Sequence, residues 1–370
     1  MPETEFNIYT PIELYAVMFD ERQTISTTHW RDFFTARPVF SEENNIAFSK
    51  IQASRKIAPF MHGNAPGRPI YSQDGETIEA FRPAYTKPKD AVVPSDHMSR
   101  TGKEIIGRVG PMTAQQRFDN AVLNITNFHR EAIERLWDYM IAKVLLNGKI
   151  DVEYMTDDGL PLGQKATIDY RRSADHSVPL SSSSQPNWGT TGTNIFKDIQ
   201  GKVDLVGDAE FGGLVTNILM GSKAAGAFRD YFTTGAGKAF LDLNTSGAED
   251  VRVSRGIVRE NPMNPFTYLG NLSGDLSCWK VSGRGNQFQK ADGTFETIIG
   301  DWDVLYTSPG IDLIMAYGAI NEATDLVATD IHVKMWDEHD PSKRFIMSQS
   351  APLPIVVNPN GTLRATVGSG

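Results

Sequence analysis

The side chains best suited to chemistry lie near the end of the chain, where His332, Asp337, Glu338, His339 and Asp340 fall close together. Imidazoles and carboxylates are ligands for zinc or manganese, so this region would be the site if the chain were a cytoplasmic metal-dependent hydrolase. The run from Asp337 to Asp340 ends in Pro341, however, and reads as a solvated turn. Other candidates fail on specific grounds. Gly283-Arg284-Gly285 lacks the third glycine and the following helix of a dinucleotide fingerprint. Ser350 sits in Gln-Ser-Ala-Pro without a glycine elbow. Cys278, beside Trp279 on an apolar run, reads as buried and inert. Asp74-Gly75 and Asp292-Gly293 read as turns. The sequence therefore predicts no enzyme: no catalytic residue, no cofactor and no metal.

Something other than catalysis must organise the chain. Residues 113–148 supply it, beginning at Thr113 and ending at Gly148. Thr113 and Gln116 form a capping box, and Gly148 stands where a left-handed helix end belongs. Between them, Phe118, Val122, Ile125, Phe128, Ile133, Leu136, Met140 and Val144 recur at helical spacing. The predicted helix, residues 114–147, would span about 50 Å. A coiled-coil register runs into His129 and Lys143. A membrane span is excluded by the charges from Arg117 to Lys143. What remains is a spine helix lying across a sheet.

Composition narrows the function classes. The chain has 370 residues, with 36 Lys and Arg against 45 Asp and Glu, a net charge of −9. Bulk charge therefore does not favour duplex DNA. The single cysteine excludes an intramolecular disulfide and a zinc–cysteine cluster, which suggests folding in a reducing cytoplasm. No signal peptide or membrane anchor is expected. Charge is uneven. Residues 1–50 carry four basic against eight acidic residues, residues 51–110 nine against six, and residues 301–370 four against nine. A basic segment could dock on an acidic surface of another copy.

The remaining elements follow in order. Pro11–Phe19 reads as a short helix capped by Thr10, and Trp30, Phe33, Phe34 and Phe40 as anchors that cannot bury themselves. Residues 46–92 read as two strands around a Gly/Pro-rich tip, a hairpin that needs a partner surface. Val152–Thr156 and Ala166–Tyr170 form a predicted hairpin, and Arg171–Thr193 a polar linker. Asn194–Leu205 and Ser222–Phe232 are predicted helices. Predicted strands are Leu214–Met220, Val251–Val253, Thr267–Leu269, Cys278–Val281, Ile298–Ile299, Val304–Tyr306, Ile311–Tyr317, Arg344–Val357 and Leu363–Val367. The broken run Arg344–Val357 is split by Pro352 and Pro354.

This order resembles the major capsid proteins of tailed phages in the protein E family, the phage lambda-like group. The likeness is carried by Phe33-Phe34 and Phe40-Ser41-Glu42-Glu43, then by residues 81–89 (FRPAYTKPK). It continues through Leu146-Asn147-Gly148-Lys149, Tyr317-Gly318-Ala319 and residues 347–353 (MSQSAPL). The resemblance implies an α+β, Hong Kong 97-type capsid fold, shared with encapsulin compartments, which are the alternative. It implies an N-terminal arm at 1–45, an extended loop at 46–92 and a peripheral domain at 93–193. An axial domain would follow at 194–335, and closing strands at 336–370. Inter-subunit contacts would involve Phe33, Phe34, Arg82, Tyr85, Lys87 and Lys89. The implied partners are copies of the chain in hexamers and pentamers, a separate scaffolding protein (no helical prodomain precedes the arm), a portal protein and a decoration protein. The shell would enclose double-stranded DNA without reading its sequence, in a virion assembled in the host cytoplasm and with no membrane.

Overall fold

The computed structural model describes residues 9–18, 29–43, 45–50, 77–81, 83–93, 113–155, 161–182, 185–233, 252–253, 264–272, 276–283, 286–290, 293–322, 326–339 and 342–369. The chain divides into two compact units. The first draws on residues 1–46, 82–141 and 314–355, and the second on 47–81, 142–313 and 356–370.

The long helix is Ala114–Asn147, 34 residues. Its capping box is reciprocal. The Thr113 N–H donates to Gln116 Oε1 at 2.9 Å, and the Gln116 N–H donates to Thr113 Oγ1 at 3.2 Å. At the other end the Gly148 N–H closes on the Val144 carbonyl at 2.7 Å, with φ at +68°. Within the first unit the buried face is Phe118, Val122, Thr126, His129, Ile133, Trp137 and Met140, spaced by four, four, three, four, four and three. This differs from the stripe expected from apolarity alone. Phe128 is 62% exposed, and Ile125 and Leu136 are only half-buried. They lie on an adjacent face of the helix. Polar residues hold places on the buried face because each has a partner there. Thr126, for instance, donates back to the Val122 carbonyl at 2.7 Å.

Two three-stranded sheets meet this helix. In one, His332–His339 pairs antiparallel with Ser342–Gln349, which pairs antiparallel with Lys89–Val92. Val333, Ile346, Ser348, Gln349 and Val92 are its buried positions among the described residues. Asp337–His339 is thus strand, not the solvated turn expected from composition, while Asp340 and Pro341 lie outside the described residues. Cross-strand pairs explain the difference. Trp336 stacks on Phe345 at 5.6 Å, and Arg344 forks onto Asp337 at 2.5 and 2.8 Å. In the other sheet the order is Arg37–Phe40, Leu313–Tyr317, Pro352–Val356, with the first pair parallel.

The N-terminal segment contributes the helices Pro11–Met18 and His29–Phe33. A second capping box, between Thr10 and Glu13, starts the first of them.

The second unit is built on a seven-stranded sheet. Its order is Ser177–Val178, Thr362–Thr366, Asp303–Thr307, Asn217–Met220, Ser277–Val281, Phe266–Asn271, Arg252–Val253. The helices Ile195–Asp208 and Ser222–Thr233 bury Ile195, Ile199, Val206, Ala224, Ala225, Phe228 and Phe232 in one core with Ile218, Met220, Val304, Tyr306 and Leu363. Two expectations change here. The polar stretch Arg171–Thr193 is no free linker. It carries a sheet strand, His176 bonds the Thr362 carbonyl at 2.8 Å, and buried Trp188 donates to Asp198 at 2.8 Å. Ile298–Ile299 is a bend, held by Asn286, rather than a strand. Lys149–Met155 and Pro161–Asp169 form the expected antiparallel hairpin, longer than its apolar residues suggest. Ile46–Lys50 pairs with Thr77–Phe81, and the Gly/Pro-rich tip between them lies outside the described residues.

Candidate functional site

One constellation looks catalytic at first sight. His129 on the long helix lies with Nε2 2.9 Å from Asp90 Oδ2 and Nδ1 3.1 Å from Ser348 Oγ. Asp, His and Ser in line are the parts of a nucleophilic triad. Their burial is inverted. Ser348 has no exposed surface, whereas the Asp90 side chain is 57% exposed. A triad needs an accessible nucleophile and a sheltered carboxylate. This arrangement instead fastens the helix to two strands of the sheet.

The metal candidates are committed elsewhere. His332 Nε2 lies 3.0 Å from Glu322 Oε2, and Lys334 approaches the same carboxylate at 3.4 Å. Nothing is described of the His339 side chain. Among the described residues, no group of three His, Cys, Asp or Glu is placed to hold a metal. Cys278 is buried, and burial pushes its thiol far above the ordinary range. Ser350 is fully buried at an isolated bridge to Thr86.

The predicted contact residues are placed as follows. Phe33 and Phe34 are half-buried and meet edge-on at 5.1 Å, and Phe34 stacks on buried Trp30 at 6.1 Å. Tyr85 donates to the Ala319 carbonyl at 2.5 Å. The Lys87 ammonium lies 5.2 Å from the Tyr85 ring, and that of Lys89 4.2 Å from Phe345 and 5.6 Å from Trp336. Both lysines are exposed, so their stems cover aromatic surface while the charges stay in water. Arg82 lies outside the described residues. Within one chain, then, Tyr85, Lys87 and Lys89 form a row beside the edge strand Lys89–Val92.

A second edge is Arg37–Phe40, all four residues exposed. The Ser41 N–H donates to the Tyr317 carbonyl at 2.9 Å, so by alternation Pro38 and Phe40 face the open side. Proline offers no N–H there, which blunts the edge against indiscriminate strand addition. Phe40, half-exposed, stacks on Tyr317 at 5.4 Å, and Tyr317 meets Trp137 edge-on at 5.2 Å.

Sequence reasoning missed three positions. Asp138, buried on the long helix, accepts N–H bonds from His29 at 2.5 Å, Trp30 at 3.1 Å and Arg31 at 3.1 Å. Burial pushes its carboxyl up to about 7, against the pull of those three donors and of the Arg31 charge. Arg172 donates to the Leu145 and Leu146 carbonyls at the end of the same helix. His129 is the third. A carboxylate or imidazole on the buried side of an otherwise apolar stripe was the available signal, because such a group persists only with partners.

The first unit combines the long helix with two three-stranded sheets, and the second is built on a seven-stranded mixed sheet. The structure matches a crystal structure assigned to a prophage capsid protein of Escherichia coli CFT073 with a TM-score of 0.64. The match covers 98% of this chain and 100% of that one at 17% identity. The fold is of the Hong Kong 97 type. In sequence the chain is 24% identical, over 93% of its length, to the P21 prophage-derived major head protein of E. coli O6:H1 strain CFT073 and to the major capsid protein of Enterobacteria phage P21. It covers 97% of each of those relatives. The pattern of the family "Phage major capsid protein E" matches residues 16–367, and the chain belongs to that family. It is a structural protein of the virion capsid, not an enzyme.

Proposed function

We propose that this chain builds the icosahedral head shell by assembling as hexamers and pentamers around the phage genome. The observation that carries the reading is the row Tyr85, Lys87 and Lys89 beside an open sheet edge, with two exposed cations over aromatic rings. It suits an acidic surface on another copy, and residues 301–370 are acidic in balance. On this reading residues 1–45 are the arm and 46–92 the extended loop that reaches a neighbour. Residues 93–193 are the peripheral domain, 194–335 the axial domain and 336–370 the closing strands. Phe33, Phe34 and Arg82 join the lysines at the contact. Assembly takes place in the host cytoplasm with a separate scaffolding protein, a portal protein and a decoration protein. The acidic chain encloses double-stranded DNA without gripping it, because affinity for phosphates grows with the number neutralised.

Size-exclusion chromatography with negative-stain microscopy of the purified chain, alone and co-expressed with its neighbouring genes, tests the proposal. Rings of five or six subunits, or closed shells, are expected. A small monodisperse oligomer under every condition refutes it.

A further inference from the structure

We propose that the core of the second unit holds one internal water molecule, bound between the Tyr306 hydroxyl, the Asp198 carboxylate and the Lys202 ammonium, with the Gln185 amide beside it. These groups come from three parts of the chain. Asp198 and Lys202 stand one turn apart on the helix Ile195–Asp208. Tyr306 lies on the strand Asp303–Thr307, whose alternate residues Val304 and Tyr306 enter the same core as Ile195 and Ile199 of that helix. Gln185 belongs to the polar stretch that leads into the helix. All are withdrawn from solvent. The Asp198 and Lys202 side chains are 5% and 9% exposed, Gln185 is buried, and Tyr306 has no exposed surface.

The carboxylate is used unevenly. Its Oδ2 accepts from Trp188 Nε1 at 2.8 Å and from Gln185 Nε2 at 3.3 Å. Its Oδ1 lies 3.9 Å from Lys202 Nζ, too far for a hydrogen bond and a gap of the kind that water bridges. Two further buried atoms have no protein partner among the described residues: the Tyr306 hydroxyl and Gln185 Oε1. Gln185 Oε1 belongs to the amide that already donates to Asp198. The Tyr306 hydroxyl is pushed well above its ordinary range by burial first and then by the Asp198 charge, which places that carboxylate within reach of it. Cys278, the next group acting on the hydroxyl, offers only a weak thiol. The incomplete groups are complementary in kind. Lys202 and Tyr306 have protons to give, and Asp198 Oδ1 and Gln185 Oε1 have lone pairs to receive them. One water, accepting twice and donating twice, completes all four. A metal ion would face the Lys202 charge and an anion the Asp198 charge, so a small neutral donor and acceptor is the ligand this set selects. Asp198 then works as a hub. One oxygen holds residues 185 and 188, and the other reaches the sheet through the water.

Tyr306→Phe removes one oxygen atom and nothing else. If the hydroxyl is tied to Asp198 through water, the folding equilibrium constant of the full, unassembled chain should fall about fivefold or more in denaturant unfolding. An unmet hydroxyl predicts the opposite sign, because its removal takes away an unpaired buried group. A high-resolution crystal structure of the parent chain should show a single solvent peak within hydrogen-bond reach of both Tyr306 Oη and Asp198 Oδ1. A Tyr306→Phe variant as stable as the parent, or more so, overturns the proposal. So does a crystal structure in which Tyr306 bonds Asp198 directly or in which no peak stands between them. Should Tyr306→Phe fail to fold, the crystal structure of the parent alone decides.

Discussion

A Cβ built on Gly148 would lie 2.7 Å from the Cβ of Arg172. That approach lets the arginine reach past the glycine to the Leu145 carbonyl at 3.0 Å and the Leu146 carbonyl at 2.8 Å. A cation thus sits on the otherwise open C-terminal carbonyls of the long helix, where the helix dipole favours it.

Gly148→Ala should therefore be costly twice over. The residue would hold φ at +68° and would displace Arg172 from the helix end. A loss of about 2–4 kcal/mol is expected from left-handed strain plus overpacking. Chemical denaturation of the unassembled chain measures it. A variant as stable as the parent would show that Arg172 can be accommodated elsewhere.

The long helix separates Leu136 from Trp137. Leu136 is half-buried, so Leu136→Ala should cost about 1 kcal/mol, whereas Trp137→Ala should cost about 3–5 kcal/mol. Trp137 has no exposed surface and supports Tyr317 and Arg31. Equal losses in thermal or denaturant unfolding would contradict this assignment of the buried face.

The same pair of residues shows what was legible in the sequence. Caps are local chemistry, so Thr113, Gln116 and Gly148 marked the helix ends from the sequence alone. The rotation of the helix was not local. It depends on His129 and Asp138 finding partners brought from distant parts of the chain, and an apolar count assigns such positions to solvent. Asp138 could be read as a carboxylate in an apolar stripe, but not as the acceptor for a backbone more than a hundred residues earlier. Likewise Arg171–Thr193 is polar because its groups bond inward to Thr362 and Asp198, not because it is free. The contact residues were suggested by family likeness, since within one chain Tyr85, Lys87 and Lys89 already have intrachain contacts.

Asp90, His129 and Ser348 should behave as a fastening and not as a triad. His129→Ala leaves the Ser348 hydroxyl buried without its imidazole and should cost about 2–4 kcal/mol. A fluorophosphonate probe should not label Ser348 in the folded chain. Stoichiometric labelling abolished by Ser348→Ala would reverse this reading.

Lys87→Glu and Lys89→Glu together should block assembly while leaving the isolated chain folded. Both ammonium groups are exposed, and each cation–aromatic contact is worth only about 0.5–1 kcal/mol to the subunit. Reversing two charges at a complementary contact costs more, because like charges then face each other. Circular dichroism should match the parent and particle yield should fall sharply. Normal shells would remove these lysines from the contact.

Asp138 gives the chain a pH dependence of known sign. Its ordinary value is 3.8 and burial raises it to about 7, so the folded state holds the proton more tightly than the unfolded one. Stability from this residue is then fully present below about pH 4 and is lost as pH rises towards 7. His29, whose imidazole burial pushes down, titrates in the same region with the opposite trend. Comparison with Asp138→Asn isolates the carboxyl, because His29 is present in both proteins and its contribution largely cancels in the difference. Denaturant unfolding at pH 4, 5.5 and 7 should show the parent losing ground steadily to the variant. A difference that stays flat across these pH values would mean that the three N–H donors hold Asp138 ionised throughout, and that charge rather than burial governs how the backbone of residues 29–31 is held.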